Sequence, residues 1–494
     1  MSESVSSLSK SSLRSTDSRE DVRSPVHERH RQHWTSPFAA KRIHMIGIGG
    51  CGMSALGGVL LRCGAIVSGS DGLQFKGAAR LEEMGAVIRY GQAPVNIQPG
   101  CDLVVYSAAI SDDNSELREA RRRGVQCLRY AEMLGQVMRL RNGVAIAGTH
   151  GKSTTTAMLA YILRRAKADP TFVVGAHVRQ LDGSSAVGDG PDFVVEACEY
   201  DRSFLCLKPR CAAVLNIEED HLDYYDGIDA IVEAFQSFIA LMPQDGLLVA
   251  NGEDPRVTRA MRDARARIET FGMASDMTWR AVHVDHDRGC YRFDIRYNGA
   301  MFIHANLAKL PGRHQVYNAL VATALARQVG IEADAIAEAL SEFAGAERRL
   351  TVRGEIGGIA LIDDYAHHPT EIQVTLRAIR EHYPDRRLWV IFQPHQHSRT
   401  RFLLDDFARS FGLADHLLVP DIYFVRDSEA VRDAICSENL VERVWANGGD
   451  ALYLPEHEGI VRHIEQHAHR GDVVLTMGAG DVWKIADELA RRLA

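Results

Sequence analysis

The chain of 494 residues is longer than a single hydrophobic core usually supports, so we expect several domains. Its hydrophobic content of 46%, charged content of 25% and net charge of −8 are typical of a globular protein and give no reason to expect a nucleic-acid partner. No apolar run reaches the length of about 18 residues that favours a transmembrane helix, and the nine cysteines form no CxxC pair. We therefore predict a cytoplasmic protein with reduced thiols that binds neither membrane nor nucleic acid.

The first 40 residues are rich in Ser, Arg and Asp and lack the apolar segment of a secretory signal. We predict a disordered tail over residues 1–40. Order is expected to begin with KRIHMIGIGGCGMSALGGVLLRCGAIVSGSD, whose pattern indicates a strand, a glycine turn, a helix and a second strand. Further strands at CDLVVYSAA and VQCLRY complete a predicted Rossmann-like α/β domain over residues 41–141.

The first glycine loop follows the first predicted strand. Gly47, Gly49 and Gly52 satisfy the G-x-G-x-x-G pattern, and Asp71 lies 19 residues after the last glycine, where a ribose-binding acid is expected. Taken alone, this pattern predicts a nicotinamide-dependent oxidoreductase. The amino end of a helix attracts any diphosphate, however, so a UDP-sugar fits the loop as well as NAD does.

A second glycine loop, AGTHGKST, follows the strand GVAIAG and precedes a long helical pattern. Its backbone amides are suited to wrapping phosphate oxygens, Lys152 to neutralising the β and γ phosphates, and Ser153 to binding Mg²⁺. The loop departs from the full phosphate-loop motif at Ile146, where that motif has glycine. The sequence predicts an ATP site here, which leaves the first loop for the diphosphate of a substrate.

Two further strands, DFVVEACEYD and CAAVLNIEEDH, carry polar residues at their carboxyl ends, where parallel sheets bind ligands. Glu196 and His221 lie at these ends and are predicted to bind magnesium together with Ser153. The segment 275–307 alternates in polarity around DRG and NG turns, which indicates β-hairpins added to the sheet. Residues 142–344 are thus predicted to form a central ATP-binding domain resembling phosphate-loop ATPases.

A third series of strands and helices opens near Arg348, so residues 345–494 are predicted to form a second Rossmann-like domain. Its segments DDYAHHPTE and FQPHQHSRTR are rich in histidine, which makes a metal site one alternative. Arg399 and Arg401 favour recognition of a carboxylate or phosphate instead, because guanidinium groups repel a cation. The metal ligands in that alternative are His367, His368, His395 and His397.

Nine motifs, taken in order, resemble those of the Mur ligase family from about Arg42 to the carboxyl terminus. They are HMIGIGGCGMSALG, GTHGKSTTT, VEACEYDRSFL, NIEEDHLDYY, PGRHQVYNAL, RRL, DDYAHHPTEI, FQPHQHSRTR and GAGD. The resemblance implies three α/β domains and an amide ligase that uses ATP and Mg²⁺. The implied reaction joins L-alanine to the lactyl carboxylate of UDP-N-acetylmuramate through an acyl phosphate, the first amino-acid addition in peptidoglycan precursor synthesis.

The resemblance also implies roles for individual residues. Contacts to the UDP substrate are expected from Gly49, Gly50, Gly52, Ser70, Asp71, Ser107 and Ala108. Contacts to ATP are expected from Gly148, Thr149, Gly151, Lys152, Ser153, Thr154, His314, Asn318, Asp364 and Tyr365. The amino-acid end of the site and the contact between domains are assigned to Arg349, His367, Arg399 and Arg401. Catalytic roles are assigned to Lys152, His150, Glu196, His221, Arg399 and His368, and metal ligation to Ser153, Glu196 and His221.

Three other functions stay open at this point. A recycling ligase that joins a preformed tripeptide to the same UDP-sugar would share these motifs. An NAD-dependent oxidoreductase would explain only the first loop, and a non-catalytic UDP-sugar sensor would not need Lys152, Ser153, Glu196 and His221 intact. The sequence is compatible with a monomer or a homodimer.

Overall fold

Three successive segments of the chain form three separate α/β sheets. The computed structural model describes residues 36–75, 77–425, 427 and 429–493. Contacts divide the chain into two units, 1–34, which lies outside the described residues, and 35–494, to which everything below refers. Strands and helices are numbered in chain order.

The first segment forms a parallel sheet of five strands. Its strands are β1 Arg42–Ile46, β2 Ile66–Asp71, β3 Val87–Tyr90, β4 Leu103–Tyr106 and β5 Gln126–Arg129. Its helices are α1 Cys51–Arg62, α2 Ala78–Glu83, α3 Ser115–Arg122 and α4 Tyr130–Met138. The strand order β3-β2-β1-β4-β5 is that of a Rossmann fold, as predicted.

The predicted tail, residues 1–40, lies outside the described residues as far as residue 35, but its last five residues are ordered. They form a turn in which the Ala39 N–H donates to the Ser36 carbonyl and the Lys41 N–H to the Phe38 carbonyl. Phe38 is only 8% exposed and belongs to the apolar core around the first sheet. Ordered structure therefore begins earlier than predicted, because one aromatic ring in a polar segment covers apolar surface.

The central segment forms a sheet of ten strands. Its strands are β6 Asn142–Ala147, β7 Thr171–Val178, β8 Gly183–Ala186, β9 Asp192–Ala197, β10 Cys211–Val214, β11 Leu247–Asn251, β12 Arg267–Gly272, β13 Trp279–Asp287, β14 Cys290–Tyr297 and β15 Ala300–Pro311. Its helices are α5 Lys152–Arg165, α6 Ile228–Ala240, α7 Pro255–Ala260, α8 His314–Gln328 and α9 Ala333–Glu342. The order is β15-β14-β13-β12-β11-β10-β6-β9-β7-β8. Antiparallel pairing of β13, β14 and β15 confirms the predicted hairpins.

The third segment forms a sheet of six strands. Its strands are β16 Thr351–Ile356, β17 Ile359–Asp364, β18 Leu388–Phe392, β19 His416–Val419, β20 Ala451–Tyr453 and β21 Val473–Met477. Its helices are α10 Pro369–His382, α11 His397–Phe402, α12 Leu404–Ser410, α13 Glu429–Arg432, α14 Ser437–Ala446, α15 His457–His467 and α16 Trp483–Arg492. The order is β16-β17-β21-β18-β19-β20, and β16 alone is antiparallel to its neighbour.

The central strands are apolar along their whole length. Every residue of β10, β18 and β21 is buried, as expected of parallel strands with helices on both faces. The polar side chains of the site described next lie at or after the carboxyl ends of such strands. None of the helices in the described part of the chain combines the length and apolar character that a membrane crossing requires.

Candidate functional site

The second glycine loop lies between β6 and α5, and its conformation requires glycine twice. Gly148 has φ of 145° and Gly151 has φ of 84°, both in the region that favours glycine. A Cβ at Gly151 would lie 2.9 Å from Asn318 Oδ1, so helix α8 packs directly against the loop. Lys152 Nζ turns back and donates to the carbonyls of Gly148 and Thr149 at 2.5 and 3.0 Å.

Lys152 forms an ion pair that the sequence analysis missed. Its Nζ lies 2.9 Å from Oε2 of Glu199, whose side chain is 2% exposed. Burial alone would lower the pKa of Lys152, but the Glu199 carboxylate outweighs it and raises that pKa. His221 Nε2 lies 3.8 Å from Glu199 Oε1. Glu199 therefore joins Lys152 to His221, and its position three residues after Glu196 at the end of a strand was the available signal.

Glu196 ends strand β9 beside the loop. Burial raises its pKa, and hydrogen bonds from the Gly175 N–H and the Ser153 hydroxyl oppose that shift. A carboxylate that accepts from a hydroxyl fits a hard cation such as Mg²⁺, because both groups offer the oxygen donors that this ion prefers. Of the three predicted metal ligands, the structure brings Ser153 to Glu196, whereas His221 lies near Glu199.

His150, in the same loop, lies between two carboxylates from different sheets. Its Nε2 is 3.5 Å from Glu218 Oε2, and its Nδ1 is 3.2 Å from Glu371 Oε1. Burial would lower the pKa of His150, but hydrogen bonds and charge from Glu218 and Glu371 outweigh it and raise that pKa to about 9. His150, Glu218 and His368 bring ligand atoms within 4.8 Å of one another, yet a protonated imidazole cannot ligate a metal, so we interpret this group as an ion pair.

The pH dependence of stability tests this interpretation of His150. A histidine whose pKa rises from about 6.5 unfolded to about 9 folded contributes stability that is complete below pH 6.5 and is lost as the pH rises to about 9. The difference corresponds to about 3 kcal/mol. We expect the midpoint of denaturant unfolding to vary less between pH 6.5 and 9 in His150→Gln than in wild type. His286→Gln, at an exposed histidine that forms no ion pair with the described residues, is expected to leave the profile unchanged. An unaltered profile in His150→Gln would contradict the ion pair.

His368 has a defined tautomer and reaches across to the central segment. Its Nε2 lies 2.9 Å from the Glu219 carbonyl, which can only accept, and its Nδ1 accepts from the Thr370 N–H at 3.3 Å. The proton is therefore on Nε2, in agreement with a pKa lowered by burial. The Thr370 hydroxyl donates to Glu218 Oε2 at 2.5 Å, which adds a second contact between the two segments.

Arg399 makes the most buried contact between these segments. Its Nη2 and Nε lie 2.8 and 3.2 Å from Asp220 Oδ1, and both residues are buried. Burial would raise the pKa of Asp220, but Arg399 and the histidines nearby hold it well below its usual range. Arg401, two residues later on α11, is exposed and makes no ion pair or hydrogen bond with the described residues. The structure thus brings Arg399 to the site and leaves Arg401 outside it, contrary to the prediction.

Arg349 and Glu371 organise the third segment's side of the site. Arg349 Nη1 lies 3.6 Å from Glu371 Oε1, and its guanidinium is 5.1 Å from the centre of the Tyr365 ring. Glu371 also accepts from the His367 N–H at 3.0 Å. Glu371 was not singled out from the sequence, although its place in the first turn after a proline is the usual signal for a capping acid.

Asp364 and His367 are predicted site residues whose side chains form hydrogen bonds with backbone groups in this structure. Asp364 accepts from the N–H groups of Leu350 and Ala366, each at 2.7 Å, and burial raises its pKa to about 6 against the charge of Arg349. His367 Nδ1 lies 3.0 Å from the Tyr365 carbonyl, and burial lowers the pKa of His367 to about 4. Both residues therefore fix the loop that follows β17.

His314 and Asn318 line the start of α8 beside the loop. The Gln315 amide donates to His314 Nε2 at 2.8 Å, while Gln315 Oε1 accepts from Asn318 at 2.8 Å. Nδ1 of His314 then carries the proton of the neutral ring, and it is buried without a hydrogen-bond partner among the described residues. An unpaired buried donor next to a phosphate loop is suited to an acceptor on a ligand.

The first glycine loop is held against two side chains. The Gly49 N–H donates to Asp71 Oδ2 at 2.9 Å, and a Cβ at Gly49 would lie 2.7 Å from that oxygen. A Cβ at Gly52 would lie 2.7 Å from the Tyr130 hydroxyl. Gly50 caps α1, so the amino end of this helix is the part of the loop suited to a diphosphate.

Ser70 does not offer its hydroxyl to a ligand in this structure. The hydroxyl donates to Glu116 Oε2 at 2.6 Å and is fully buried, because the buried Glu116 carboxylate needs donors. Ser107 accepts from the Ala109 N–H at 3.3 Å, and Ala108 is exposed at the same strand end. Ser70 therefore supports the loop from below, which corrects its predicted role as a substrate contact.

The alternative metal site in the third segment finds no support. Among the His, Cys, Asp and Glu side chains of the described residues, one group of three has ligand atoms close enough for a metal, and of the four histidines in this alternative it contains only His368. The His397 N–H donates to Asp427, and His395 lies 3.3 Å from Arg399. These histidines thus belong to separate hydrogen-bond networks.

Three α/β sheets, with a phosphate loop on the central one and a dinucleotide-type loop on the first, define a multidomain protein that binds nucleotides. Family models match the chain in succession: the Mur ligase family catalytic domain at residues 42–142, the Mur ligase middle domain at 146–326 and the Mur ligase glutamate ligase domain at 348–480. The chain belongs to the Mur ligase family.

Individual relatives support the same family. A UDP-N-acetylmuramate–L-alanine ligase of Caldanaerobacter subterraneus subsp. tengcongensis is 40% identical over 450 residues, which are 91% of this chain and 97% of the relative. The crystal structure of a UDP-N-acetylmuramate–alanine ligase from Thermotoga maritima matches with a TM-score of 0.75 at 28% identity, covering 91% of this chain and 98% of that one. A murein peptide ligase from Psychrobacter arcticus matches with a TM-score of 0.69 at 29% identity, covering 92% and 99%.

Proposed function

We propose that this chain joins L-alanine to the lactyl carboxylate of UDP-N-acetylmuramate and uses ATP to do so. The observation that carries the proposal is that the start of α1, directly after the first glycine loop, contacts the central sheet that carries the second loop. Tyr130 packs on Gly52 of the first loop, and its pKa is raised by burial and by the nearby charge of Glu196 beside the second. The Cys51 thiol at the start of α1 lies 2.9 Å from Ser184 Oγ of the central sheet. A UDP-sugar on the first loop would thus present its carboxylate near ATP on the second.

The chemistry follows from the weakness of a carboxylate as an electrophile. Attack of the lactyl carboxylate on the γ-phosphate would release ADP and form an acyl phosphate. The alanine amine would then attack the acyl carbon and form the amide, with release of phosphate and a proton. Lys152, held by Glu199, is placed to neutralise charge on the transferred phosphoryl group. Mg²⁺ bound by Ser153, Glu196 and His221 would supply further positive charge at the same phosphate. The unpaired Nδ1–H of His314 is assigned to the nucleotide.

The contact between the central and third segments would exclude water. An acyl phosphate hydrolyses in water, so a ligase needs a closed site while the intermediate exists. The Arg399–Asp220 pair, the His368 bond to Glu219 and the His150–Glu371 pair already join the two sides. We assign His150 to the side of the site that faces the reacting carboxylate and Arg399 to holding the site closed.

L-alanine is favoured over a preformed tripeptide by the comparisons. A relative named for alanine is 40% identical over 91% of the chain. The alanine ligase of Thermotoga maritima matches with a TM-score of 0.75 and the murein peptide ligase with 0.69, at similar identities of 28% and 29%. An oxidoreductase would leave the phosphate loop without a role. The nine cysteines are free, which agrees with a cytoplasmic location, where ATP and UDP-sugars occur together.

Release of phosphate from ATP, Mg²⁺ and UDP-N-acetylmuramate, with L-alanine, glycine, L-serine or the tripeptide added in turn, tests the proposal. We expect the fastest turnover with L-alanine. Turnover with the tripeptide alone would move the chain to the recycling activity, and absence of turnover with every acceptor would refute ligase function.

The substitution Gly49→Ala tests the assignment of the first glycine loop to the UDP substrate. The added Cβ would meet Asp71 and Phe75 at 2.7 Å, so the loop must shift. Overpacking of this kind costs about 1–3 kcal/mol, and we expect the KM for UDP-N-acetylmuramate to rise at least about tenfold while the KM for ATP stays within about twofold. Gly72→Ala, at a glycine whose Cβ would meet nothing, is the matched control. Equal changes in both KM values would contradict separate roles for the two loops.

A further inference from the structure

A cavity of about 330 Å³ lies between the central and third segments, and the site described above does not use it. Its walls come from β15 and the loop after β7 on one side, from the connecting segment 344–352, and from β17 and the carboxyl end of α10 on the other. The volume is at the small end of the range of about 300–1,000 Å³ that small-molecule pockets span. A ligand here would touch both segments at once.

Helix α10 separates this cavity from the catalytic side. Glu371 in its first turn faces His150, whereas Ile379, His382 and Tyr383 at its other end line the cavity. Glu371 and His382 are eleven positions apart on the helix, which corresponds to about 16 Å. The cavity is therefore a second site, distinct from the one that holds the nucleotide.

The lining is apolar with positive charge at its edge. Leu350 and Val352 form part of the wall, and Val352 is 55% exposed although it is apolar. Lys309 lies on the wall, is exposed, and makes no ion pair or hydrogen bond with the described residues. The carboxylate of Glu347 is already neutralised, since Arg179 lies 3.1 Å and His177 3.4 Å from it. The cavity thus offers one uncompensated cation beside an apolar surface.

The connecting segment links the cavity to the site. Arg348 and Leu350 have φ of 57° and 50°, an unusual conformation for bulky residues. Arg349 between them turns into the site toward Glu371, while Leu350 lines the cavity and its N–H donates to Asp364 at 2.7 Å. A ligand that holds Leu350 in place would therefore also restrain the backbone next to Arg349 and the hydrogen bond from Leu350 to Asp364.

We propose that this cavity is an effector site for a small amphipathic monoanion. Its acidic group would pair with Lys309, and its apolar body would lie against Leu350, Val352 and Tyr383. Because the walls belong to both segments, the ligand binds the present arrangement and opposes its opening. Substrates must enter and products leave between these segments, so occupancy slows turnover; this last step rests on the proposed ligase function.

Calorimetric titration with 2-naphthoate tests the site without any need for turnover. We expect 2-naphthoate to bind about threefold more tightly than neutral 2-naphthamide, because an ion pair with an exposed lysine is screened by solvent. Lys309→Gln is expected to remove that preference, while Lys41→Gln, an exposed lysine on the first segment, keeps it. Ala308→Trp, which fills the cavity from an exposed strand position, is expected to abolish binding. Equal affinities for the two compounds, or unchanged binding to Ala308→Trp, would refute the site.

A measurement of turnover tests separately whether binding in the cavity inhibits the reaction. Alanine-dependent phosphate release is expected to fall with half-maximal inhibition near the calorimetric Kd of 2-naphthoate, and Ala308→Trp is expected to be insensitive to it. Binding without inhibition would overturn the effector role. Failure of turnover with every acceptor would refute the proposed function, and the calorimetric result would still decide whether the cavity binds the anion.

Discussion

Lys152→Ala is expected to lower alanine-dependent ADP release at least about a thousandfold, because the Lys152 ammonium is assigned to neutralise charge on the transferred phosphate. Binding of UDP-N-acetylmuramate is expected to stay within about twofold, since the first loop lies on a different sheet. ADP release under saturating substrates and calorimetric binding of the UDP-sugar measure the two effects separately. Equal loss of both would contradict the assignment of the loops to different ligands.

Loss of stability has to be separated from loss of catalysis in this variant. Lys152→Ala leaves the Glu199 carboxylate, 2% exposed, without its partner, and breaking a buried pair costs about 3–5 kcal/mol. The double variant Lys152→Ala/Glu199→Gln removes that uncompensated charge. We expect it to recover most of the lost stability and none of the activity. Recovered activity would mean that Lys152 acts only through the fold.

Arg399→Ala is expected to have the second large effect. The substitution leaves buried Asp220 without the guanidinium that lies 2.8 Å from it, and we expect a loss of about 3–5 kcal/mol in the free energy of unfolding. We also expect kcat to fall about a hundredfold or more, because a loosened contact between the segments admits water to the acyl phosphate. ATP hydrolysis without amide formation should then rise relative to ligation.

Arg401→Ala is the matched control for Arg399. Both residues lie on α11, but Arg401 is exposed and makes no ion pair with the described residues. We expect its kcat and midpoint of unfolding to stay within the error of wild type. An equal effect of the two substitutions would contradict the role of the buried pair, as would a double variant Arg399→Ala/Asp220→Asn no more stable than Arg399→Ala.

Local patterns in the sequence were enough to predict the sheets, the added hairpins and both glycine loops. Each of these depends on residues close together in the chain, such as Gly148, Gly151 and Lys152 between a strand and a helix. The family models and relatives bear out the family as well. The individual ligand contacts stay predictions.

Such local patterns could not predict which side chains pair within the site. His150 and Glu371 are 221 residues apart in the chain, and Arg399 and Asp220 are 179 apart. A motif also gives the place of a residue without the direction of its side chain, which is why Ser70 and Arg401 were assigned to ligands. Burial of Glu116 draws Ser70 inward, and the turn of α11 directs Arg401 outward.

The central claim is that ATP activates the lactyl carboxylate by phosphorylating it. UDP-N-acetylmuramate labelled with ¹⁸O in that carboxylate tests this directly when it is incubated with the enzyme, ATP, Mg²⁺ and L-alanine, and the released phosphate is analysed by mass. Transfer of one ¹⁸O atom into each phosphate is the predicted result, because the oxygen that attacks the γ-phosphate leaves with it. Unlabelled phosphate formed together with the amide product would contradict the acyl-phosphate route.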